Sequence, residues 1–150
     1  IKRINLDAYL TLAGLCKSDN LNRNIINTID SDKRIKYINK FIDEKQLNEL
    51  VMNSDVVVLP YVDAFTSGSV VYALSASKPL ILPKFISYNE YSDENNTFIY
   101  DDTKLDYALL RAFNSKNLIE MGFDSHKKAL NLDWDNIGKS VLELYLEALN

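Results

Sequence analysis

Apolar and polar positions alternate between two periods along the chain, and the switch between them marks its elements. Tyr9-Leu10-Thr11-Leu12-Ala13 is a short apolar run ending at Gly14, which predicts a strand entering a loop. Leu21, Ile25, Ile26 and Ile29 recur at helical spacing. Ile35 to Ile38 is β-branched and aromatic and predicts a strand. Asp43, with Gln46 three residues on, has the form of a capping box opening a helix that uses Leu47, Leu50 and Val51. Asp55-Val56-Val57-Val58-Leu59-Pro60 then runs without polar alternation, as a strand covered on both faces does. Ser67 to Ser75 predicts a helix, and Pro79-Leu80-Ile81-Leu82-Pro83 a buried strand bracketed by prolines. Thr97 to Tyr100 is the last strand. Beyond it the pattern is helical: Leu105 to Phe113, Leu118 to Leu130, and Ile137 to Leu149. The last helix puts Ile137, Val141, Leu144, Tyr145 and Ala148 on one face, with Asp133 or Asp135 as its cap.

Strands alternating with helices at this spacing predict βαβ units. The fold class is therefore α/β, a Rossmann-like parallel sheet with helices on both faces and a helical C-terminal end. Ligands of such sheets bind outside the carboxyl ends of the strands. The loops that matter are those after Ala13, Ile38, Leu59 and Leu82. No internal repeat or low-complexity tract is present.

The 150 residues suffice for one domain with a core, and no Pro/Gly/Ser-rich linker interrupts them. A net charge of −4 argues against a nucleic-acid partner, which needs a basic face. Lys33, Arg34 and Lys36 alternate with apolar residues and read as a solvated strand edge. Cys16 is the single cysteine, so no internal disulfide is available and a cytoplasmic location is expected. No apolar run approaches the roughly 20 residues of a membrane span. The chain starts at Ile1 rather than Met, and a fragment, or a chain with its beginning removed, is expected.

The stretch from Pro60 to Pro83 carries the most chemistry. A buried strand ends, a short loop follows, and a helix begins near Thr66-Ser67-Gly68-Ser69. A helix N-terminus exposes unpaired N–H groups at the positive end of the dipole, which suits phosphate. Gly68 lets a ligand approach the backbone, and the hydroxyls of Thr66, Ser67 and Ser69 add donors. On local chemistry alone Thr66 or Ser67 reads first as a plain N-cap, which does not exclude a phosphate site at the same turn. Other candidates carry less. His126, the single histidine, stands beside Lys127 and Lys128 with no nucleophile at motif spacing and reads as a surface residue. Asp101-Asp102 resembles an acidic metal pair but reads as a helix cap. Glu90, Asp93 and Glu94 form an acidic loop whose charges read as facing solvent. The nine tyrosines lack the spacing of a stacking platform.

The segment SDVVVLPY…TSGSVVYALSASKPLILP resembles the donor-site segment of glycosyltransferase family 4, the group-1 enzymes of GT-B fold. YLTLAG is similar to the family's strand before its nucleotide-facing loop. INKFIDEKQLNELVMNSD resembles the strand, loop and helix leading into the central strand, and LDWDNIGKSVLELYLEAL the closing helix. The resemblance runs from Tyr9 to Asn150. It implies the C-terminal, donor-binding half of a GT-B fold, whose acceptor-binding N-terminal domain and first strand lie outside this chain. It implies a retaining hexosyltransferase that takes a UDP- or GDP-sugar as substrate, without a cofactor and without a metal. The acceptor would be a glycan or a lipid-linked sugar bound by the missing domain, in cell-surface polysaccharide synthesis. Peripheral association of the full-length enzyme with the inner face of the membrane goes with that role.

Carried over by position, Thr66, Ser67, Gly68 and Ser69 would hold the diphosphate, where helix amides offset developing charge. Phe41 and Ile42 would sit beside the base, mainly through backbone groups, and Tyr72 would face the ribose. The resemblance assigns no catalytic residue to this chain, so the fragment alone is expected to be inactive. Many members carry a glutamate pair, one towards the sugar and one towards the ribose, where this chain has Ala64 and Tyr72. Neither is a carboxylate; Asp63, beside Ala64, is the nearest substitute. The family's glycine before Lys-Pro is Ser77 here, and for its basic pair after the first strand Lys2 and Arg3 are the only early candidates, with a spacing that does not fit. These departures keep a second reading open, a non-catalytic GT-B-like partner or regulatory domain. A third, a flavodoxin-like or receiver-like module, needs an early acidic pair or phosphate loop that the sequence lacks.

Overall fold

A computed structural model describes residues 7–29, 32–62, 68–86, 91–101 and 104–149. The chain divides into two compact units, Ile1–Asn53 and Ser54–Asn150.

In the first unit, β1 (Leu10–Ala13) pairs in parallel with β2 (Ile35–Ile38), Leu10 opposite Ile35 and Ala13 opposite Ile38. Parallel neighbours need a crossover, and α1 (Asp19–Ile29) supplies it. Gly14 turns the chain out of β1 at φ 145, a conformation glycine adopts without strain. After β2, Asp43 caps α2 (Glu44–Met52): its side chain accepts a hydrogen bond from the Gln46 amide at 2.8 Å. The Lys33-Arg34-Lys36 edge is only partly solvated. Arg34 is half-buried and forks onto Asp32, Nε to Oδ1 at 2.9 Å and Nη2 to Oδ2 at 2.8 Å.

In the second unit, β3 (Val57–Val58), β4 (Leu80–Pro83) and β5 (Thr97–Tyr100) form a parallel sheet in that order. The hydrogen-bonded part of β3 is shorter than its apolar run, and its residues are half-buried; among the described residues β3 is paired with β4 alone. Both its faces are nonetheless covered. Val56 and Val58 pack with Ile81, Phe98 and Tyr100 against α4 (Leu105–Asn114). Val57 and Leu59 pack with Leu80 and Leu82 against α3 (Gly68–Ser75). The period of two in each strand thus feeds two cores, one per face. β4, central and bonded on both sides, is buried throughout. Pro83 is its last residue, where a missing N–H is tolerated.

α5 (Leu118–Asn131) contributes to both cores, Met121 to one and Ala129 to the other. A single 3-10 turn, Lys84–Ile86, follows β4. α6 (Trp134–Ala148) starts at Asp133, whose carbonyl, not its carboxylate, accepts from Asn136 and Ile137. No residue of α6 is buried, and its expected apolar face is open, with Tyr145 68 % exposed.

The result is an α/β protein with parallel sheets, six α-helices among the described residues and a helical C-terminal end, a Rossmann-like architecture.

Candidate functional site

In each unit the edge to inspect is the carboxyl end of the parallel strands. α3 connects β3 to β4, which run parallel. It must therefore return antiparallel to them, and its first turn lies at their carboxyl edge. Val70, Ala73 and Leu74 anchor α3 in its core and leave Gly68 and Ser69 exposed. A Cβ built on Gly68 would meet no described residue within 4 Å, so the described structure leaves the backbone there approachable. Tyr72 is half-buried on the same helix, and its hydroxyl has no hydrogen-bond partner among the described residues. Asp63, Ala64, Thr66 and Ser67 lie outside the described residues.

The far end of α3 is equally defined. The Ser77 amide donates to the Leu74 carbonyl at 2.9 Å and the Lys78 amide to the Ala73 carbonyl at 3.0 Å. This double closure places Ser77 in the left-handed region, φ 58, where glycine is usual.

At the carboxyl end of β2 the chain turns through residues 39–43 into α2. Phe41 is 78 % exposed, an aromatic ring that no core claims. The backbone N–H and C=O groups of Phe41 and Ile42 have no hydrogen-bond partner among the described residues. The Asp43 cap turns the Gln46 amide to itself, so no helical bond reaches back to the Ile42 carbonyl. The loop thus presents a ring and free backbone donors and acceptors side by side.

Behind this loop lies a polar cluster that sequence reading missed. Asn39 Oδ1 accepts from the Cys16 amide at 2.8 Å, and Asn39 Nδ2 donates to Asn22 Oδ1 at 3.0 Å. Tyr37 Oη donates to the same Asn22 oxygen at 3.0 Å. Burial, then the neighbouring Cys16 thiol, holds the Tyr37 hydroxyl above its ordinary value, so it stays protonated as a donor. These partners lie 15 to 23 residues apart in sequence. Local pattern carries no sign of them beyond asparagine directly after a strand.

The other candidates resolve as follows. His126 is exposed on α5. Asp101 is not a helix cap: the residue preceding α4 is Lys104, and the Asp101 carboxylate instead faces Lys84 at 3.6 Å. Asp102 and Glu90 lie outside the described residues. Asp93 does not simply face solvent, since it pairs with Lys128 at 2.9 Å and accepts from the Asn95 amide at 2.8 Å. Burial raises its carboxyl pKa, but these partners outweigh burial and hold it below the ordinary value. Among the described residues no three His, Cys, Asp or Glu side chains converge as a metal site would need. Nor is any described helix long and apolar enough to cross a membrane.

Fold and edge geometry together define a Rossmann-like chain whose strand ends present exposed backbone. Comparison with known proteins gives this class a chemical direction. Over 124 residues the chain is 32% identical to a GDP-mannose:glycolipid 4-beta-D-mannosyltransferase of Xanthomonas campestris pv. campestris. The same name and figures apply to a second sequence from a strain of that pathovar. The match covers 79% of this chain and 34% of the relative, so the chain spans about a third of the length of the curated relatives it matches. No family model matches the chain.

Proposed function

We propose that this chain is the donor-binding part of a GT-B glycosyltransferase. The full-length protein would move a hexose from a nucleotide diphosphate sugar to a glycan or lipid-linked acceptor in cell-surface polysaccharide synthesis. The observation that carries the reading is the exposed start of α3 at the carboxyl edge of its sheet, with no described residue within 4 Å of a Cβ at Gly68. Similarity to a glycosyltransferase supports the same reaction class.

On this reading Gly68 and Ser69, with Thr66 and Ser67, receive the diphosphate. Amide dipoles fixed in advance stabilise the charge that grows on the leaving group, with no metal required. In its own unit the loop after β2 receives the base, Phe41 offering a face and Ile42 its backbone. Tyr72 stands for the ribose-facing residue, a phenol where a carboxylate is usual, and the role of meeting the sugar falls by sequence position to Asp63 and Ala64. Because the relative's printed donor is GDP-mannose, a GDP-sugar is the first donor to test. The isolated chain supplies the donor side alone and does not turn over. The full-length enzyme works at the inner face of the membrane, where a lipid-linked acceptor is available.

The resemblance implies retention at the anomeric carbon. A β-linked product, the linkage in the relative's name, arises by retention from a β-linked donor and by inversion from an α-linked one. With a donor of known anomeric configuration, the one-bond carbon–proton coupling at the product's anomeric centre separates retention from inversion. The reading as a whole is tested by calorimetry on the full-length protein with GDP, UDP and their sugars. Saturable binding of at least one supports it, and no heat from any of them refutes it. A non-catalytic GT-B-like partner remains the second reading, favoured by Ala64 and Tyr72 in place of carboxylates; turnover of donor and acceptor excludes it.

A further inference from the structure

We infer that Asn39 is a positioning residue for the β2–α2 loop, one carboxamide joining the exit of β2 to the β1–α1 loop and to α1. This deepens the reading above, because it rests on Phe41 and Ile42 meeting the base. The chemistry of the cluster fixes its own orientation. A backbone N–H can only donate, so the Cys16 amide requires Asn39 to turn its oxygen towards it. The Asn39 NH2 group then faces α1, where Asn22 must present its oxygen to accept. That same oxygen takes the Tyr37 hydroxyl. Asn22 Nδ2 is left with no partner among the described residues.

Two backbone bonds extend the clamp. The Gly14 amide donates to the Ile38 carbonyl at 3.1 Å, carrying the strand pairing one step past β1. The Lys40 amide donates to the same carbonyl at 3.2 Å. Residue 39 is thereby held on both sides and through its side chain, two positions before Phe41. Between Lys40 and Asp43 the backbone groups of Phe41 and Ile42 have no hydrogen bonds of their own among the described residues. Their placement depends on the anchors to either side, Asn39 before them and the Asp43 cap after them. Only a side chain with both a donor and an acceptor in one short plane makes both bonds: aspartate lacks the donor, serine the reach.

The test uses the full-length protein, with GDP as the binding probe and a transfer assay beside it. Asn39→Ala removes both bonds. Asn22→Asp keeps the acceptor for Asn39 and Tyr37 and serves as the conservative control. Hydrogen exchange without ligand reads the clamp itself. The expected result is faster exchange at the Cys16 amide in Asn39→Ala and a GDP dissociation constant raised about two- to tenfold. The KM for the sugar nucleotide should rise with kcat kept, the signature of lost binding common to ground and transition states. Asn22→Asp should stay near the parent in each. Faster Cys16 exchange with unchanged GDP affinity and KM would leave Asn39 a purely structural residue and overturn the inference. So would a fall in kcat alone, which reports a smaller folded fraction. If the parent protein binds no nucleotide, the donor-site reading itself fails and the inference with it, an outcome that the parent's own titration separates from the other two.

Discussion

Gly122 on α5 lies against the carbonyl of Ser77, so close that a Cβ built on Gly122 would stand 2.5 Å from that oxygen. The obstacle is backbone, held by the turn that closes α3, and cannot rotate aside. Beside it the Ser125 hydroxyl donates to the Lys78 carbonyl at 2.9 Å. α5 is thus seated on the α3–β4 turn by a missing side chain and a hydrogen bond one helical turn apart.

Gly122→Ala should therefore destabilise, although alanine is the better helix former. The propensity gain of about 1 kcal/mol is outweighed by overpacking of about 1–3 kcal/mol and a weakened Ser125 bond worth about 1 kcal/mol. We expect a net loss of about 1–3 kcal/mol and a Tm lower by several degrees in thermal unfolding. Gly138→Ala on α6 is the control, since nothing lies within 4 Å of a Cβ there. It should raise stability by up to about 1 kcal/mol. Equal effects at both positions would show that the Ser77 contact does not matter.

Ser77→Gly should stabilise. A non-glycine residue at φ 58 costs about 1–2 kcal/mol, part of which glycine returns as extra freedom of the unfolded chain. A gain of about 0.5–1 kcal/mol is expected in denaturant unfolding, seen as a higher midpoint at unchanged slope.

Asp93 gives the fold an acid sensitivity. Its carboxyl pKa is lowered in the folded protein, so its contribution is present above its unfolded value, near 3.8. That contribution is lost as pH falls through the lower folded value. Asp93→Asn should therefore cost stability at pH 6 and cost less at pH 3, below the carboxyl's ordinary value, where the unfolded chain takes up its proton and part of the contribution is lost. Melting curves at the two pH values check this; a Tm difference independent of pH would contradict it.

Gly68→Val separates binding from folding. A Cβ there meets no described residue within 4 Å, so Tm should hardly move. The added atoms also stand where the diphosphate is proposed to meet the α3 backbone. GDP affinity in the full-length protein should fall by about tenfold or more, as expected when a close backbone approach is blocked. Unchanged affinity would place the diphosphate elsewhere.

The fold was largely legible in the sequence, because its signals are local. The run Leu80–Leu82 announces a strand covered on both faces, and Asp43 with Gln46 marks the start of α2 at the observed residue. β3 proved shorter than its apolar run, since the ladder depends on neighbours that the run does not reveal. Asp101 was misread for a similar reason: its partner Lys84 comes from the turn after β4, not from α4. The strand ends that frame the candidate site could be read from order and spacing. The Asn22–Tyr37–Asn39–Cys16 cluster could not, because side-chain bonds across a crossover leave no periodic trace.

Hydrogen exchange on the full-length protein with and without GDP-mannose tests the central claim most directly. Slowed exchange confined to two stretches, around Phe41–Ile42 and around Thr66–Tyr72, is the predicted result. Protection that spares both, or no protection under a saturating sugar nucleotide, would contradict it.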